Sequence, residues 1–207
     1  MNLPSLYLIT DAERVGDSHM VDVVAAASRA GLCMVQVREK NKSLHELRAF
    51  VDRLRDSVVG PMLWVLNYPA GLAADLGVDG VHVGGGVVEH VGEAREQLGD
   101  DKILGYSAHD ITEIPRAFDL GATYVSYSPV LPTRSKMCHG PVLGFESFED
   151  ASRPNSGPVY ALGGVGAESA SVLRACGAAG LGVIGSIVDA ADPEVATREI
   201  LESWNDG

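Results

Sequence analysis

Short apolar runs alternate with longer amphipathic stretches along nearly the whole chain. The apolar runs are rich in valine, isoleucine and leucine on both faces, which is typical of parallel strands buried on both sides. Eight such runs predict strands: LYLIT (6–10), MVQVR (34–38), MLWVLN (62–67), GVHVG (80–84), KILGYS (102–107), YVSYSPV (124–130), VYALGG (159–164) and GLGVIGS (180–186).

The amphipathic runs between these strands predict helices. A glycine that follows a helix end and precedes a strand recurs at Gly31, Gly77, Gly121 and Gly177, as expected for helix termination in the left-handed conformation. The predicted helices are 20–31, 43–59, 90–99, 111–121, 168–178 and 192–204.

Eight strand-and-helix units in one chain of this length predict a (β/α)8 TIM barrel. A doubly wound open sheet is the alternative, but the regular units with no obvious edge strand favour closure. No linker or low-complexity segment divides the sequence, so residues 1–207 are interpreted as a single domain. Function is then expected where strands end and the loops to the helices begin.

Composition narrows the class of protein. With 46% hydrophobic and 21% charged residues the chain is typical of a globular protein, and no apolar run is long enough to cross a membrane. We find no secretory signal, and three widely spaced cysteines fit a reduced compartment, so a cytoplasmic location is expected. The net charge of −12 argues against nucleic-acid and membrane partners.

Positively charged side chains lie at the end of the second predicted strand. Alternation in MVQVREK turns Val35 and Val37 towards the helices, which leaves Gln36 and Arg38 directed into the barrel mouth. Lys40 follows in the loop. An inward arginine needs an anion, so it either binds a ligand or forms a structural ion pair with a neighbouring carboxylate.

Polar and glycine-rich loops follow the last three strands. Thr133, Ser135 and Lys136 place hydroxyls and an ammonium after strand six, which suits a phosphate. After strands seven and eight, Gly163, Gly164 and Gly185 fit the phosphate cradle that these two loops often form in barrels. The alternative is that these glycines only form tight turns, but the position of the glycines after strands seven and eight favours a phosphate site.

These motifs together resemble the thiamine phosphate synthase/TenI family. LYLITD, VQVREK, LNYPAGLAADLGVDGVHVG, GYSAH, SPVLPTRSK, ALGGV and GVIGSI follow in the family's order over nearly the whole chain. The resemblance implies a barrel that is usually dimeric and acts on thiazole phosphate, so a phosphorylated small-molecule substrate and a homodimer are expected. It implies that substrate is bound by Gln36, Arg38, Lys40, Asn67, Ser107, Thr133, Ser135, Lys136, Gly163, Gly164, Ile184 and Gly185.

The stretch VHVGGGVV (81–88) departs from the synthase pattern. Synthases carry two aspartates that hold magnesium, and this chain has Tyr68 and Val87 at those positions. Their glutamine is replaced by Gly85. Glycine and valine offer no ligand to Mg²⁺, and nothing in the spacing of Glu89 makes it a substitute. We therefore expect no metal site and no cofactor, with magnesium required only if the chain is a synthase.

TenI-type relatives also lack the metal residues and are thiazole tautomerases. Their catalytic histidine would fall at Pro129, so His139, later on the same loop, is the candidate acid or base, with an exposed loop histidine as the alternative. Together with Lys136 and Arg38 it forms the predicted catalytic set. His82 is interpreted as structural, and Cys138 carries little weight as a nucleophile.

Four hypotheses follow from this pattern. The main one is a TenI-like enzyme that acts on a phosphorylated thiazole by proton transfer without a metal. A divergent thiamine phosphate synthase is the first alternative. The others are a non-catalytic binder of a thiamine precursor and a family member recruited to another pathway, because fold does not fix function.

Overall fold

The computed structural model describes residues 3–67, 69–133, 141–155 and 157–206. Eight parallel strands form a closed barrel, in which each strand pairs with the next in sequence and the last pairs with the first. The predicted (β/α)8 barrel is confirmed. The strands are β1 (Leu6–Ile9), β2 (Met34–Val37), β3 (Leu63–Leu66), β4 (Gly80–Val83), β5 (Ile103–Ala108), β6 (Tyr124–Tyr127), β7 (Val159–Leu162) and β8 (Gly180–Val183).

Helices surround this barrel, and each of the six predicted helical runs overlaps one of them. They are α1 (Ala12–Val15), α2 (Asp17–Arg29), α3 (Leu44–Ser57), α4 (Ala73–Leu76), α5 (His90–Leu98), α6 (Glu113–Asp119), α7 (Gly144–Ser152), α8 (Ala167–Ala175), α9 (Gly185–Val188) and α10 (Pro193–Asn205), with a 3-10 turn at Ala70–Leu72. Within the described residues, no helix is long and apolar enough to cross a bilayer.

Side chains of the barrel face two separate cores. The outward residues of the strands, such as Val35 and Val37, pack with the apolar faces of the helices. Inside the barrel, the rings of Tyr7, Tyr124 and Tyr160 meet edge to face with centroids 5.4 to 5.9 Å apart. Glycines on neighbouring strands make room for these rings: a Cβ atom on Gly180, Gly182 or Gly105 would lie 2.4 Å from one of them. These described side chains therefore fill the floor of the barrel, and a cavity opens at its mouth.

Several strands end earlier than their sequence predicts. The run 180–186 reads as one strand, but β8 ends at Val183 and Gly185 already begins α9. Likewise β6 ends at Tyr127 and not at residue 130, and β7 ends at Leu162. A short apolar run does not reveal by periodicity where a strand gives way to a helix or loop, which explains these differences. Helix α7 is not among the helices predicted from the sequence.

Candidate active site at the barrel mouth

A cavity of about 550 Å³ opens at the carboxyl ends of the strands, and every strand, or the loop directly after it, contributes to its wall. Its volume lies within the range of small-molecule sites, roughly 300–1,000 Å³. The predicted substrate-binding residues that the structure describes all line it: Gln36, Arg38, Lys40, Asn67, Ser107, Thr133, Gly163, Gly164, Ile184 and Gly185.

Arg38 and Lys40 give the β2 side of the cavity its positive charge. Among the described residues, neither side chain forms an ion pair. Arg38 is anchored through its backbone, where its N–H donates to Thr10 Oγ1 at 3.0 Å. The structural ion pair considered for Arg38 is thus not found in the described part of the chain. Both cations face a cavity in a protein whose net charge is −12.

Polar side chains line the inner wall below these cations. Gln36 is 2% exposed, and its buried amide nitrogen has no hydrogen-bond partner among the described residues. Asn67 donates from Nδ2 to the His82 carbonyl oxygen at 3.0 Å. This bond leaves the Asn67 amide oxygen as the group that can face a ligand.

His82 belongs to a buried network that ends at the cavity. Its Nδ1 lies 2.9 Å from the Tyr124 hydroxyl and its Nε2 lies 2.8 Å from Ser107 Oγ. Burial raises the pKa of Tyr124 well above its usual range, so the hydroxyl stays protonated and can donate to Nδ1. In that arrangement His82 Nε2–H donates to Ser107, whose own hydroxyl hydrogen can turn towards a ligand. His82 supports the site from below, in agreement with its predicted structural role.

The β7 turn lines the opposite side of the cavity with backbone. Gly163 and Gly164 adopt φ values of +92° and +69°. A Cβ atom at Gly163 would lie 2.9 Å from Pro129 Cα, and one at Gly164 would lie 2.4 Å from the Pro132 carbonyl oxygen. The turn therefore needs glycine for packing against the β6 loop as well as for its backbone conformation.

The β8 turn completes this side. Ile184 precedes the single-turn helix α9, which starts at Gly185. Ser186 Oγ donates to the Val165 carbonyl oxygen and thereby joins the β8 turn to the β7 turn. Asp189 lines the cavity rim and pairs with Arg14 at 2.5 Å, so its charge is balanced.

His109 is a cavity residue that sequence reasoning missed. It follows β5, lines the cavity, and places its Nδ1 2.8 Å from the Ser128 carbonyl oxygen. Its ring lies against Gly85, where a Cβ atom would be 2.7 Å from His109 Cδ2. GYSAH was recognised only as part of a family motif, although a histidine directly after a strand end was the available signal.

The described residues do not form the carboxylate set that magnesium would need. None of them belongs to a group of three or more His, Cys, Asp or Glu side chains that could hold a metal ion. Val87 is 47% exposed, and the neighbouring Gly84, Gly85 and Gly86 bring only backbone to the cavity wall. Glu89 is exposed and lies outside that wall. The described donors therefore do not fit a protein-held Mg²⁺.

One buried carboxyl group lies close to the site. Glu39 is 3% exposed, and burial raises its pKa, while hydrogen bonds from the Thr10 hydroxyl and the Ala12 N–H partly offset this effect. The Ala12 N–H donates to Glu39 Oε1 at 3.0 Å. Glu39 thus ties the β2 loop to the start of α1 and does not line the cavity.

Some predicted residues lie outside the described part of the chain. Ser135, Lys136, His139 and Cys138 fall on the undescribed stretch 134–140, and Tyr68 is also undescribed. Their roles stay predictions. Burial raises the pKa of the two described thiols, Cys33 and Cys176, so neither has the character of an activated nucleophile.

The closed barrel and its cationic, glycine-rich mouth define a (β/α)8 protein whose pocket suits phosphorylated ligands. The chain belongs to the thiamine monophosphate synthase family, whose model matches residues 6–187. The thiamine-phosphate synthase of Roseiflexus sp. (strain RS-1) is 36% identical over 200 residues, which cover 94% of this chain and 83% of that protein.

Two further relatives agree with this membership. The thiamine-phosphate synthase of Desulfitobacterium hafniense (strain DSM 10664 / DCB-2) is 32% identical over 203 residues, 97% of each chain. The thiamine phosphate pyrophosphorylase structure from Pyrococcus furiosus superposes with a TM-score of 0.77 at 26% identity, covering 98% of this chain and 96% of that one. The predicted family is confirmed.

Proposed function

We propose that this chain is a thiamine-phosphate synthase-type transferase, which joins a thiazole phosphate to a hydroxymethylpyrimidine supplied as its diphosphate. This was the first alternative of the sequence analysis. The names of the relatives favour it over the tautomerase-like main hypothesis, whose predicted base, His139, lies outside the described residues. A homodimer remains a prediction from the family resemblance.

The observation that carries the proposal is that one cavity contains two groups of residues that can each bind an anion. The cationic sector is formed by Arg38 and Lys40, which have no ion-pair partner among the described residues. The backbone sector is formed by the turns after β7 and β8, with Gly163 and Gly164 at its centre. A reaction between two phosphorylated substrates needs both, because each anion must be held while the reacting carbon and nitrogen meet.

The cationic sector suits the diphosphate. When the bond between the pyrimidine group and the diphosphate breaks, the electron pair leaves with the diphosphate, whose negative charge then increases. Arg38 and Lys40 can stabilise that charge, because a cation held in place at a cavity wall acts more strongly on a bound anion than one in bulk water. The backbone sector then suits the single phosphate of the thiazole, through N–H groups that glycine leaves accessible.

A product assay tests the proposal. Purified protein is incubated with hydroxymethylpyrimidine diphosphate and thiazole phosphate, in magnesium and in EDTA, and thiamine phosphate is measured by chromatography. We expect thiamine phosphate and pyrophosphate in equal amounts with magnesium present. Loss of product in EDTA would indicate that the diphosphate brings the ion with it, since Mg²⁺ is often held largely by substrate phosphates.

Absence of thiamine phosphate in both buffers, from a protein that binds both substrates, would contradict the proposal. Conversion of one thiazole phosphate tautomer into another under the same conditions would then support the tautomerase hypothesis. Binding without any conversion would leave a non-catalytic binder.

A further inference from the structure

The imidazole ring of His109 lies against Gly85 in the glycine loop that follows β4. A Cβ atom added to Gly85 would lie 2.7 Å from His109 Cδ2 and 2.8 Å from His109 Nε2. The edge of the ring thus occupies the space that a side chain at position 85 would take. Both residues line the same cavity as Arg38 and Lys40.

The ring is held in place from its other side. Nδ1 lies 2.8 Å from the Ser128 carbonyl oxygen, which can only accept, so Nδ1 carries a hydrogen. The backbone N–H of His109 donates to Glu113 Oε2 at 2.9 Å. These two contacts fix the residue between β5, the β6 loop and α6. Within the described part of the chain, Nε2 has no hydrogen-bond partner.

We propose that His109 is a ligand-contacting residue of this cavity, whose Nε2–H donates to a phosphate oxygen of the diphosphate substrate. The ring acts in its imidazolium form, in which both nitrogens donate and the Ser128 contact is kept. The inference rests on the proposed function, because it assigns a role in binding the diphosphate of that reaction. It provides a side-chain donor at a wall where the glycine loop has none.

In this form the ring is a charged donor. A hydrogen bond from a charged donor to a phosphate is about twice as strong as one between neutral groups. The contact strengthens further as the leaving diphosphate gains charge.

Two amide substitutions separate ligand contact from a structural role. In His109→Asn the amide nitrogen can replace Nδ1, which keeps the Ser128 contact and removes Nε2. In His109→Gln the amide nitrogen can replace Nε2 instead. Affinity for inorganic pyrophosphate is measured by calorimetry in a magnesium-containing buffer for the full-length wild type and both variants, with His45→Asn on the exposed face of α3 as the matched control.

We expect His109→Asn to bind pyrophosphate at least about 10-fold more weakly than the wild type, with a smaller loss in His109→Gln and none in His45→Asn. A purely structural role predicts the reverse order, because only asparagine keeps the Ser128 contact. That reverse order, or equal affinity in all proteins, would overturn the inference and leave the proposed function intact. Failure of the wild type to bind pyrophosphate would overturn both.

A second measurement needs no variant. In ¹⁵N-labelled wild-type protein saturated with pyrophosphate, the Nε2 resonance of His109 is expected to lie in the range of a protonated nitrogen. A resonance in the range of an unprotonated nitrogen under these conditions would refute the contact.

Discussion

The two proposed anion-binding sectors of the barrel mouth are built from different kinds of group. The cationic sector on the β2 side presents side chains, with Arg38 and Lys40 bearing the charge. The backbone sector presents main-chain groups at Gly163 and Gly164, which are packed tightly against the β6 loop. In the cationic sector, the charged side chains that face the cavity form no ion pair with other described residues. In the backbone sector, the glycines that face the cavity also pack against the β6 loop. Binding and stability should therefore be separable by mutation in the cationic sector and inseparable in the backbone sector.

The largest effect is expected for Gly164→Ala. The residue has a φ of +69°, and its Cβ would lie 2.4 Å from a backbone oxygen of Pro132, which cannot move aside like a flexible side chain. Strain and overpacking together should lower the free energy of unfolding by about 3 kcal/mol or more and weaken binding of thiazole phosphate. Urea denaturation and calorimetry measure the two quantities.

Gly84→Ala is the matched comparison for this change. Gly84 lines the same mouth, but a Cβ atom added to it would meet no atom within 4 Å, and its φ is not positive. Its free energy of unfolding should stay within about 0.5 kcal/mol of the wild type. Equal destabilisation at both glycines would show that the backbone sector is no more constrained than the rest of the mouth.

A smaller effect, of a different kind, is expected for Arg38→Met. Removal of a charged donor should weaken pyrophosphate binding by about 10- to 100-fold, because a hydrogen bond to a charged group contributes about 1.5–3 kcal/mol. The free energy of unfolding should stay the same or rise slightly, because a half-buried cation with no ion-pair partner among the described residues is replaced by an apolar side chain. Calorimetry and urea denaturation again provide the readouts.

Arg48→Met on the exposed surface of α3 makes the same charge change away from the cavity. It should leave pyrophosphate affinity unchanged. If Arg38→Met lowers both the free energy of unfolding and the pyrophosphate affinity, binding and stability are not separable in the cationic sector.

The sequence was sufficient for the parts of the molecule that follow local periodicity. Alternation in β2 correctly turned Gln36 and Arg38 into the mouth, and repeated strand and helix patterns predicted the closed barrel. The predicted end of β8 was wrong, because the apolar residues of VIGSIV are compatible with both a strand and a helix. The contact between Gly85 and His109 joins two loops on neighbouring strands. It was not predicted, because only the barrel geometry brings them together.

Simultaneous binding of two anions tests the central claim most directly. Inorganic pyrophosphate is titrated into protein saturated with thiazole phosphate, and the stoichiometry and affinity are compared with those of a titration into free protein. Two sectors in one mouth predict that one pyrophosphate still binds per chain, with thiazole phosphate retained. Stoichiometric displacement of thiazole phosphate by pyrophosphate would show that the two anions compete for a single site, and the proposed joining of two phosphorylated substrates would be contradicted.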